Sequence, residues 1–175
     1  MAILPILVAP HPVLKRKAQP VERVTDEERR LLDDMLETMY DAPGIGLAAP
    51  QVGVSKRMLV VDIAREGEDR QPMKLINPEI LEQADELAAY EEGCLSFPDQ
   101  FAEVSRPAKV RVRYLDETGE ARELAAEGLL ATCVQHEIDH LDGITFVDHL
   151  SALKRTMILK KLTKLKKQGR LQAAE

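Results

Sequence analysis

Two histidines and a glutamate in one short segment are the residues of this chain best suited to chemistry. The segment reads Gln135-His136-Glu137-Ile138-Asp139-His140. Residues four apart share one face of a helix, so His136 and His140 would point the same way and could hold one divalent ion. Glu137 lies at the edge of that face and could reach a water molecule beside the ion. The alternative is an amphipathic helix that carries two histidines by chance.

A third ligand must come from elsewhere, because a catalytic metal site usually offers three protein ligands and one open position for water. The chain has two cysteines, Cys94 and Cys133. Cys133 and His140 would lie about 10 Å apart along a helix, too far to converge easily with His136 on one ion. Cys94 lies in a turn-like segment, residues 91–96, and can approach the helix from outside. We therefore predict Cys94 as the third ligand and Cys133 as a small buried wall residue.

The first half of the chain contains the signals of one helix and several strands. Thr25 and Glu28 form a capping box, and apolar residues then recur at helical spacing until Asp41, before Pro43 and Gly44. Residues 44–51 are read as a small-residue loop. Residues 57–63 predict a strand, and residues 74–90 predict one or two strands broken at Asn77-Pro78.

The second half predicts a hairpin followed by two helices. Lys109–Leu115 alternates polar and apolar residues, and residues 121–126 return as its partner. Gly128–Leu141 has the pattern of the helix that would carry the two histidines, and residues 144–147 look strand-like. Ser151 should cap a last helix with an apolar stripe.

These elements indicate an α+β fold in one domain. We expect antiparallel β-sheets packed around a central helix that carries His-Glu-x-x-His, with one N-terminal and one C-terminal helix. Residues 1–150 would form the catalytic domain. Residues 151–175 would form a basic amphipathic helix or tail of the same domain.

Composition excludes several classes of protein. Apolar residues make up 45% of the 175 residues and charged residues 31%, as in ordinary globular proteins. The chain has no Trp and only three Tyr and three Phe, which disfavours single-stranded nucleic-acid binding. No segment approaches the ~20 apolar residues of a membrane helix. With no basic leader and no disulfide framework, we expect a cytoplasmic protein without membrane or DNA partners.

The charge of the chain is unevenly distributed. Residues 151–175 carry eight Lys or Arg and one Glu, whereas the whole chain has a net charge of −6. A basic tail on an acidic body suggests contact with a polyanion. The alternative is a solvated helix face that balances the acidic body. The candidate contacts are Lys154, Arg155, Lys160, Lys161, Lys164, Lys166, Lys167 and Arg170.

Three segments together resemble the signature segments of the peptide deformylase family. They are Gly44-Ile45-Gly46-Leu47-Ala48-Ala49-Pro50-Gln51, Glu92-Gly93-Cys94-Leu95-Ser96 and the His136–His140 segment. The family removes the formyl group from the N-terminal formyl-methionine of newly made bacterial proteins. The resemblance implies a hydrolase that acts on formyl-Met peptides or nascent chains and that contacts the ribosome, in some members, through a basic C-terminal helix.

The resemblance also implies roles for individual residues. Cys94, His136 and His140 would hold the metal, and Glu137 would act as acid and base. Gln51 and the backbone N–H of Leu95 would bind the formyl oxygen. Family enzymes generally use Fe²⁺ and often accept Zn²⁺, Ni²⁺ or Co²⁺. The positions of the methionine pocket fall at Ile45, Gly46, Tyr90, Glu92, Leu129, Thr132, Cys133 and His136.

This chain departs from the family at Phe101, where better-known members have an arginine that helps to hold the substrate. Arg106 is a candidate to replace that arginine. Two other functions are compatible with the central motif alone. A ribosome-binding protein with a structural metal would need a fourth ligand, and neither His11 nor His149 has ligand spacing to the motif. An endopeptidase is disfavoured by the Cys94 segment and the short chain.

Overall fold

The computed structural model describes residues 2–169, and within them seven strands and three α-helices form the fold. The helices are α1 (Asp26–Asp41), α2 (Gly128–Leu141) and α3 (Ala152–Lys167). The strands are β1 (Gly46–Ala48), β2 (Met58–Val61), β3 (Met73–Gln83), β4 (Leu87–Cys94), β5 (Phe97–Pro107), β6 (Lys109–Leu115) and β7 (Ala121–Glu127). Short 3₁₀ turns occupy Pro12–Lys15, Ala49–Val52 and Phe146–His149.

Two antiparallel sheets surround the central helix α2. Five strands form one sheet in the order β1-β2-β3-β6-β7, and β4 and β5 form a separate hairpin. Helix α2 packs against both sheets. The predicted α+β class, with antiparallel sheets around the helix that carries the two histidines, is therefore confirmed.

Three apolar clusters hold these layers together. One lies between the five-stranded sheet and α2, around Val112, Val134 and Leu141. Another packs α1 on β1 and β2 through residues such as Leu32 and Met39. A third joins the hairpin to α3 and includes Leu162 of that helix. The C-terminal helix is thus part of the folded body over its described residues.

Helix α2 is buried along most of its length, which explains why its sequence is richer in apolar residues than α1 or α3. It begins at Gly128, whose φ of +61° turns the chain sharply out of β7. Its buried residues include His136, Glu137 and His140. Polar groups placed in such a setting need specific partners, because burial without them costs free energy.

Several predicted elements match the structure closely. Helix α1 ends at Asp41, and the Thr25 N–H donates to Glu28 Oε1 at 2.9 Å, as a capping box requires. Strand β6 and helix α2 have the predicted bounds. Ser151 caps α3 by accepting a hydrogen bond from the Lys154 N–H at 3.2 Å.

Other predictions were wrong in detail. Asn77-Pro78 does not break the strand, because β3 runs through it with a shift in register between Ile76 and Glu79. Residues 44–51 are more than a loop, since they contain β1 and a 3₁₀ turn. Residues 144–147 do not form a strand. Phe146–His149 is a 3₁₀ turn, in which the Thr145 N–H donates to Asp148 Oδ2.

Among residues 2–169, no helix combines the length and the apolar character needed to span a bilayer.

Candidate metal centre and active site

Three side chains from two elements meet at one point. Cys94 is the last residue of β4, and His136 and His140 lie one turn apart on α2. One ligand atom from each lies within 4.8 Å of the other two, and Cys94 Sγ is 3.3 Å from His140 Nε2. Thiolate and imidazole nitrogen are the donors that suit zinc and divalent iron, cobalt or nickel.

Cys133 lies outside this group, on the wall of the adjoining pocket. Its thiol donates to the Ile45 carbonyl at 3.5 Å. Burial raises the pKa of the Cys133 thiol well above its ordinary value, and the negative charges of Glu137 and Glu92 add to this effect. The side chain therefore stays a neutral thiol, as the prediction of a wall residue requires.

A network of charged side chains orients His136. His136 Nδ1 lies 3.0 Å from Glu92 Oε1, which leaves its Nε2 free to face the centre. Arg106 donates to both oxygens of Glu92, at 2.7 and 3.0 Å, and to Asp139 at 2.8 Å. Although burial opposes ionisation, the hydrogen bonds from His136 and Arg106 keep the pKa of Glu92 below its ordinary value.

The prediction that Arg106 replaces a substrate-binding arginine is wrong. Arg106 is only 4% exposed, and its guanidinium is paired with Glu92 and Asp139. Asp139 also lies 2.8 Å from His149 Nε2. Glu92 lines the pocket, as predicted, but both its carboxylate oxygens are already paired with Arg106.

Glu137 is buried beside the centre with one oxygen unpaired. Among the described residues, only two buried side-chain polar atoms lack a protein partner, and they are Glu137 Oε1 and His140 Nδ1. Burial raises the pKa of Glu137 to about 7. A carboxyl group with a pKa near neutrality can both accept and donate a proton at physiological pH.

The electrostatics fit a bound cation. Burial lowers the pKa of His140 well below its ordinary value, so the imidazole is neutral, as a metal ligand must be. Burial also opposes the charging of His136, but Glu137, Cys94 and Glu92 outweigh it and raise the pKa of this residue well above normal. Negative groups that stabilise an imidazolium would equally stabilise a divalent ion. The donor set and the unpaired atoms therefore fit a catalytic metal.

Gln51, in the 3₁₀ turn Ala49–Val52, lies beside the same point. The Ala48 N–H donates to Gln51 Oε1 at 3.0 Å, which fixes the amide orientation and turns Nε2 towards the centre. Gln51 Nε2 lies 3.1 Å from Ser96 Oγ and 3.4 Å from Cys94 Sγ. Leu95 directly follows Cys94 and lines the pocket. Two groups predicted to face a formyl oxygen therefore flank the same thiol.

The absence of a side chain at Gly46 leaves the space that Glu137 and Cys133 occupy. A Cβ on Gly46 would lie 2.5 Å from Glu137 Oε2 and 2.9 Å from Cys133 Sγ. No other residue type fits without displacing the glutamate.

A pocket of about 560 Å³ opens onto the centre. Every residue predicted for substrate binding lines it, namely Ile45, Gly46, Tyr90, Glu92, Leu129, Thr132 and Cys133. Ile45, Leu129 and Phe101 are the large apolar residues on its wall that stay exposed, at 41%, 36% and 62%. Mostly apolar pockets of this size with a few converging polar groups bind small ligands.

The sequence patterns assigned no role to Ser96 and suggested a different role for Arg106. Ser96 follows the Cys94 segment and is fully buried against Gln51. Arg106 is at the centre of the charged network that orients His136. The sequence around an arginine gives no sign that it will be buried, because the partners of Arg106 come from two other elements, Glu92 from β4 and Asp139 from α2.

Comparisons with known proteins show that the chain is similar to one group of proteins over nearly its whole length. A family model described as polypeptide deformylase matches residues 3–156. A peptide deformylase of Phenylobacterium zucineum is 62% identical over 164 residues, which are 94% of this chain and 97% of that protein. A peptide deformylase of Agrobacterium fabrum is 58% identical over 164 residues, covering 94% and 96%.

Solved structures show the same similarity. The crystal structure of peptide deformylase from Ehrlichia chaffeensis has a TM-score of 0.91 at 40% identity, covering 97% of this chain and 100% of that one. A peptide deformylase from Synechococcus elongatus in complex with actinonin has a TM-score of 0.84 at 44% identity, covering 96% and 89%.

Proposed function

This chain belongs to the polypeptide deformylase family, whose members are metalloenzymes that remove the N-formyl group from nascent polypeptides, and from that premise we propose how its own residues carry out the reaction. The observation that carries the proposal is the meeting of Cys94, His136 and His140 beside the unpaired carboxylate oxygen of Glu137. The chain is a hydrolase that acts on the formyl amide of N-terminal formyl-methionine.

Cys94, His136 and His140 would hold one divalent ion, with Fe²⁺ as the native metal and Zn²⁺, Ni²⁺ or Co²⁺ as substitutes. The resemblance to the family supports this choice, and the mixed sulfur and nitrogen donors suit all four metals. When bound, the ion supplies Lewis acidity, which makes water a better nucleophile at neutral pH and polarises the formyl carbonyl. Glu92 fixes the orientation of the His136 ring by its contact with Nδ1, so that Nε2 would be available to the ion.

Glu137 would move the proton. Its free Oε1 can accept a proton from the attacking water, because its pKa of about 7 leaves much of the group ionised at neutral pH. The same carboxyl can then protonate the departing amine of methionine. Cys133 and Gly46 form the wall against which the carboxylate rests.

Gln51 and the backbone N–H of Leu95 would stabilise the oxyanion that forms at the formyl carbon. The amide of Gln51 is oriented before substrate arrives, because Ala48 holds its oxygen. The backbone of Gln51 is fixed as well, since its carbonyl accepts from the Leu7 N–H at 2.8 Å. Donors that need no reorganisation are the most effective in the transition state.

The pocket beside the centre would bind the methionine side chain. Ile45, Leu129 and Tyr90 supply apolar surface, and Thr132 and Cys133 form its floor on α2. The absence of a side chain at Gly46 would let the peptide backbone pass close to Glu137. Glu92 contributes through Arg106 and His136 rather than by direct contact with substrate.

Residues 1–150 would form the catalytic unit, and the basic helix in residues 151–175 would contact ribosomal RNA in the cytoplasm, where nascent chains arise. Five of the candidates, Lys154, Lys160, Lys161, Lys164 and Lys167, lie on α3 with no acidic partner within salt-bridge distance in the described structure. Two other candidates are engaged, since Lys166 donates to the Val8 and Pro10 carbonyls and Arg155 pairs with Asp148. Arg170 lies outside the described residues.

Ribosome contact is tested by charge substitution rather than by deletion, because Leu162 is part of the core and its loss would damage the fold. Lys160, Lys161 and Lys164 are changed together to Gln, and binding to ribosomes is measured over a range of salt concentrations. Each lost phosphate contact should weaken binding and reduce its salt dependence. Unchanged affinity and salt dependence would remove this part of the proposal.

The hydrolytic function is tested by offering formyl-Met-Ala and an internal peptide of similar length to the metal-loaded protein. We expect formate release from the first peptide and no cleavage of the second. Elemental analysis after anaerobic purification identifies the native metal. Cleavage of the internal peptide instead would indicate an endopeptidase.

A further inference from the structure

We propose that His149 is a positioning residue for the metal ligand His136. It acts through three side chains that stand between the two histidines, namely Asp139, Arg106 and Glu92. The inference rests on the proposed function, because it takes His136 as a ligand. His149 lies outside both the group of converging ligands and the lining of the pocket, so it would touch neither the ion nor the substrate.

Arg106 lies between two carboxylates, each of which contacts one of the histidines. Its Nη1 donates to Asp139 Oδ2 at 2.8 Å, and His149 Nε2 lies 2.8 Å from the same oxygen. On the other side, Glu92 Oε1 accepts from Arg106 Nη2 at 3.0 Å and lies 3.0 Å from His136 Nδ1. Since a carboxylate oxygen only accepts, Nε2 of His149 is the donor. The two histidines are thus the two ends of one charged network.

The N–H of His149 holds Asp139 in place. The Asp139 side chain is 20% exposed, whereas that of Glu92 is 4% exposed. Among residues 2–169, the side-chain partners of the Asp139 carboxylate are Arg106 and His149 alone. Without His149, water would compete with Arg106 for this carboxylate. A buried Nη1 that loses Asp139 is left without a partner, which costs free energy, so the guanidinium and the Glu92 carboxylate paired with it would shift.

The turn that carries His149 also contacts His136 directly. Phe146 is the first residue of this 3₁₀ turn and His149 is the last. The rings of Phe146 and His136 have their centroids 6.2 Å apart and their planes 25° from parallel. The turn is fixed at its start, because the Thr145 N–H donates to Asp148 Oδ2 at 2.9 Å. One turn therefore restrains the His136 ring on its face through Phe146 and at Nδ1 through the charged network.

The test compares the Co²⁺-loaded wild type with His149→Ala in the hydrolysis of formyl-Met-Ala. We expect kcat to fall by about 3- to 10-fold, less than the roughly 10- to 100-fold that follows loss of a direct partner of a ligand, because three side chains intervene. KM should stay the same, since His149 does not line the pocket. Co²⁺ should also dissociate faster from the variant, which an excess of chelator measures without substrate.

A spectroscopic readout separates positioning from general stability. The absorption of bound Co²⁺ depends on the geometry of its ligands, so the spectrum should change in His149→Ala. His149→Gln keeps an N–H donor near the position of Nε2 and should restore the spectrum, kcat and the rate of Co²⁺ release towards wild type. A role of His149 in stability alone would leave the spectrum of the folded variant unchanged.

Two further variants test the specificity and the route. His11→Ala is the matched control, because His11 also belongs to a 3₁₀ turn, as its N-cap, and its ring accepts a hydrogen bond from the Val13 N–H at 3.2 Å rather than joining the network. It should leave kcat and Co²⁺ release at wild-type values. Asp139→Ala breaks the route, so adding His149→Ala to it should lower kcat little further.

Four results would overturn the inference. They are wild-type kcat and Co²⁺ release in His149→Ala, an unchanged Co²⁺ spectrum in that variant, an equal loss in His149→Gln or His11→Ala, and fully additive losses in the double variant. Each leaves the proposed function intact as long as the wild type releases formate from formyl-Met-Ala. A wild type that releases no formate removes the proposed function, and this inference with it.

Discussion

Arg106 donates hydrogen bonds to both carboxylate oxygens of Glu92, at 2.7 and 3.0 Å, and both side chains of this pair are almost completely buried. The same carboxylate orients His136. The free energy of this pair therefore bears on the fold and on the candidate metal ligand together.

Replacing Arg106 by Met should destabilise the protein on the order of 3–5 kcal/mol, because Glu92 would remain buried without a positive partner. Urea unfolding measures the change. Arg111→Gln is the control, since Arg111 also pairs with two carboxylates, of Glu82 and Glu123, but on the exposed surface of the sheet. Equal losses in the two variants would show that burial of the Arg106 pair is unimportant.

Glu137→Gln keeps the size of the side chain but removes its ability to take a proton. We expect kcat to fall by about 10²–10⁴, the usual contribution of a general acid–base group. Metal content should be unchanged, because Glu137 is not one of the three converging ligands. Glu103→Gln, an exposed residue of β5 outside the pocket, should behave as wild type. Near-normal turnover in Glu137→Gln would contradict the proton-transfer role.

Gln51→Ala removes one donor from the proposed oxyanion site. Loss of such a donor typically lowers kcat by about 10²–10³. Elemental analysis should still find a full complement of metal, since the amide lies beside Cys94 Sγ at 3.4 Å without being one of the grouped ligands. A variant that loses its metal in proportion to its activity would indicate that Gln51 supports the thiol rather than the oxyanion.

Gly46→Ala should lower kcat while leaving the protein folded. The new methyl group would meet Glu137 Oε2 at 2.5 Å, so the carboxylate must move away from its position. Gly67→Ala serves as a control, because nothing lies within 4 Å of a Cβ there. It changes the backbone preference of a turn but should leave kcat unaltered. Full activity in Gly46→Ala would mean that Glu137 has no fixed position.

The phenol of Tyr40 should ionise at a higher pH than an ordinary tyrosine. Burial raises its pKa to about 12, and the hydrogen bond of its hydroxyl to Asp62 at 2.5 Å adds to the shift. The fold thus favours the neutral phenol. Its contribution to stability is complete below the ordinary tyrosine pKa of about 10 and is lost as the pH rises through about 12.

Ultraviolet absorbance of tyrosinate follows this titration, and comparison with Tyr40→Phe assigns the late step. Asp62→Asn removes the negative charge beside the hydroxyl and should move that step to lower pH. A step that stays in place would show that burial alone accounts for the shift.

Local sequence patterns predicted much of the fold. The alternation of Lys109–Leu115 and the helical spacing of Gly128–Leu141 gave the right bounds because each element buries one continuous surface. Strand β5 was not predicted at all. Its buried positions include the polar residues Gln100 and Arg106, and its apolar Phe101 is exposed, so the alternation of burial does not appear in the sequence as an alternation of apolar and polar residues.

Asn77-Pro78 shows why residues typical of turns led to the wrong prediction of a break in β3. Asn77 has a φ of +51°, and its side chain accepts from the Val21 N–H and donates to the Val21 carbonyl, both at 2.8 Å. A segment 56 residues away in sequence thus anchors the Asn77 side chain, while the Asn77 N–H donates to the Arg57 carbonyl at 2.8 Å, so the backbone donor is satisfied although the ladder shifts here. Local signals contain no information about such a distant partner.

The site was predictable where residue type and spacing define the chemistry, as for the Cys94, His136 and His140 group. It was less predictable where long-range pairing decides the role. Arg106 looked available for substrate, because its two acidic partners become neighbours only when β4, β5 and α2 assemble.

The three converging ligands are far apart along the chain, since Cys94 precedes His140 by 46 residues. A polypeptide still emerging from the ribosome would have to complete α2 before these donors could capture an ion together. Metal loading would then be a late event in the biogenesis of this protein, and ion occupancy would report on whether newly made molecules have finished folding.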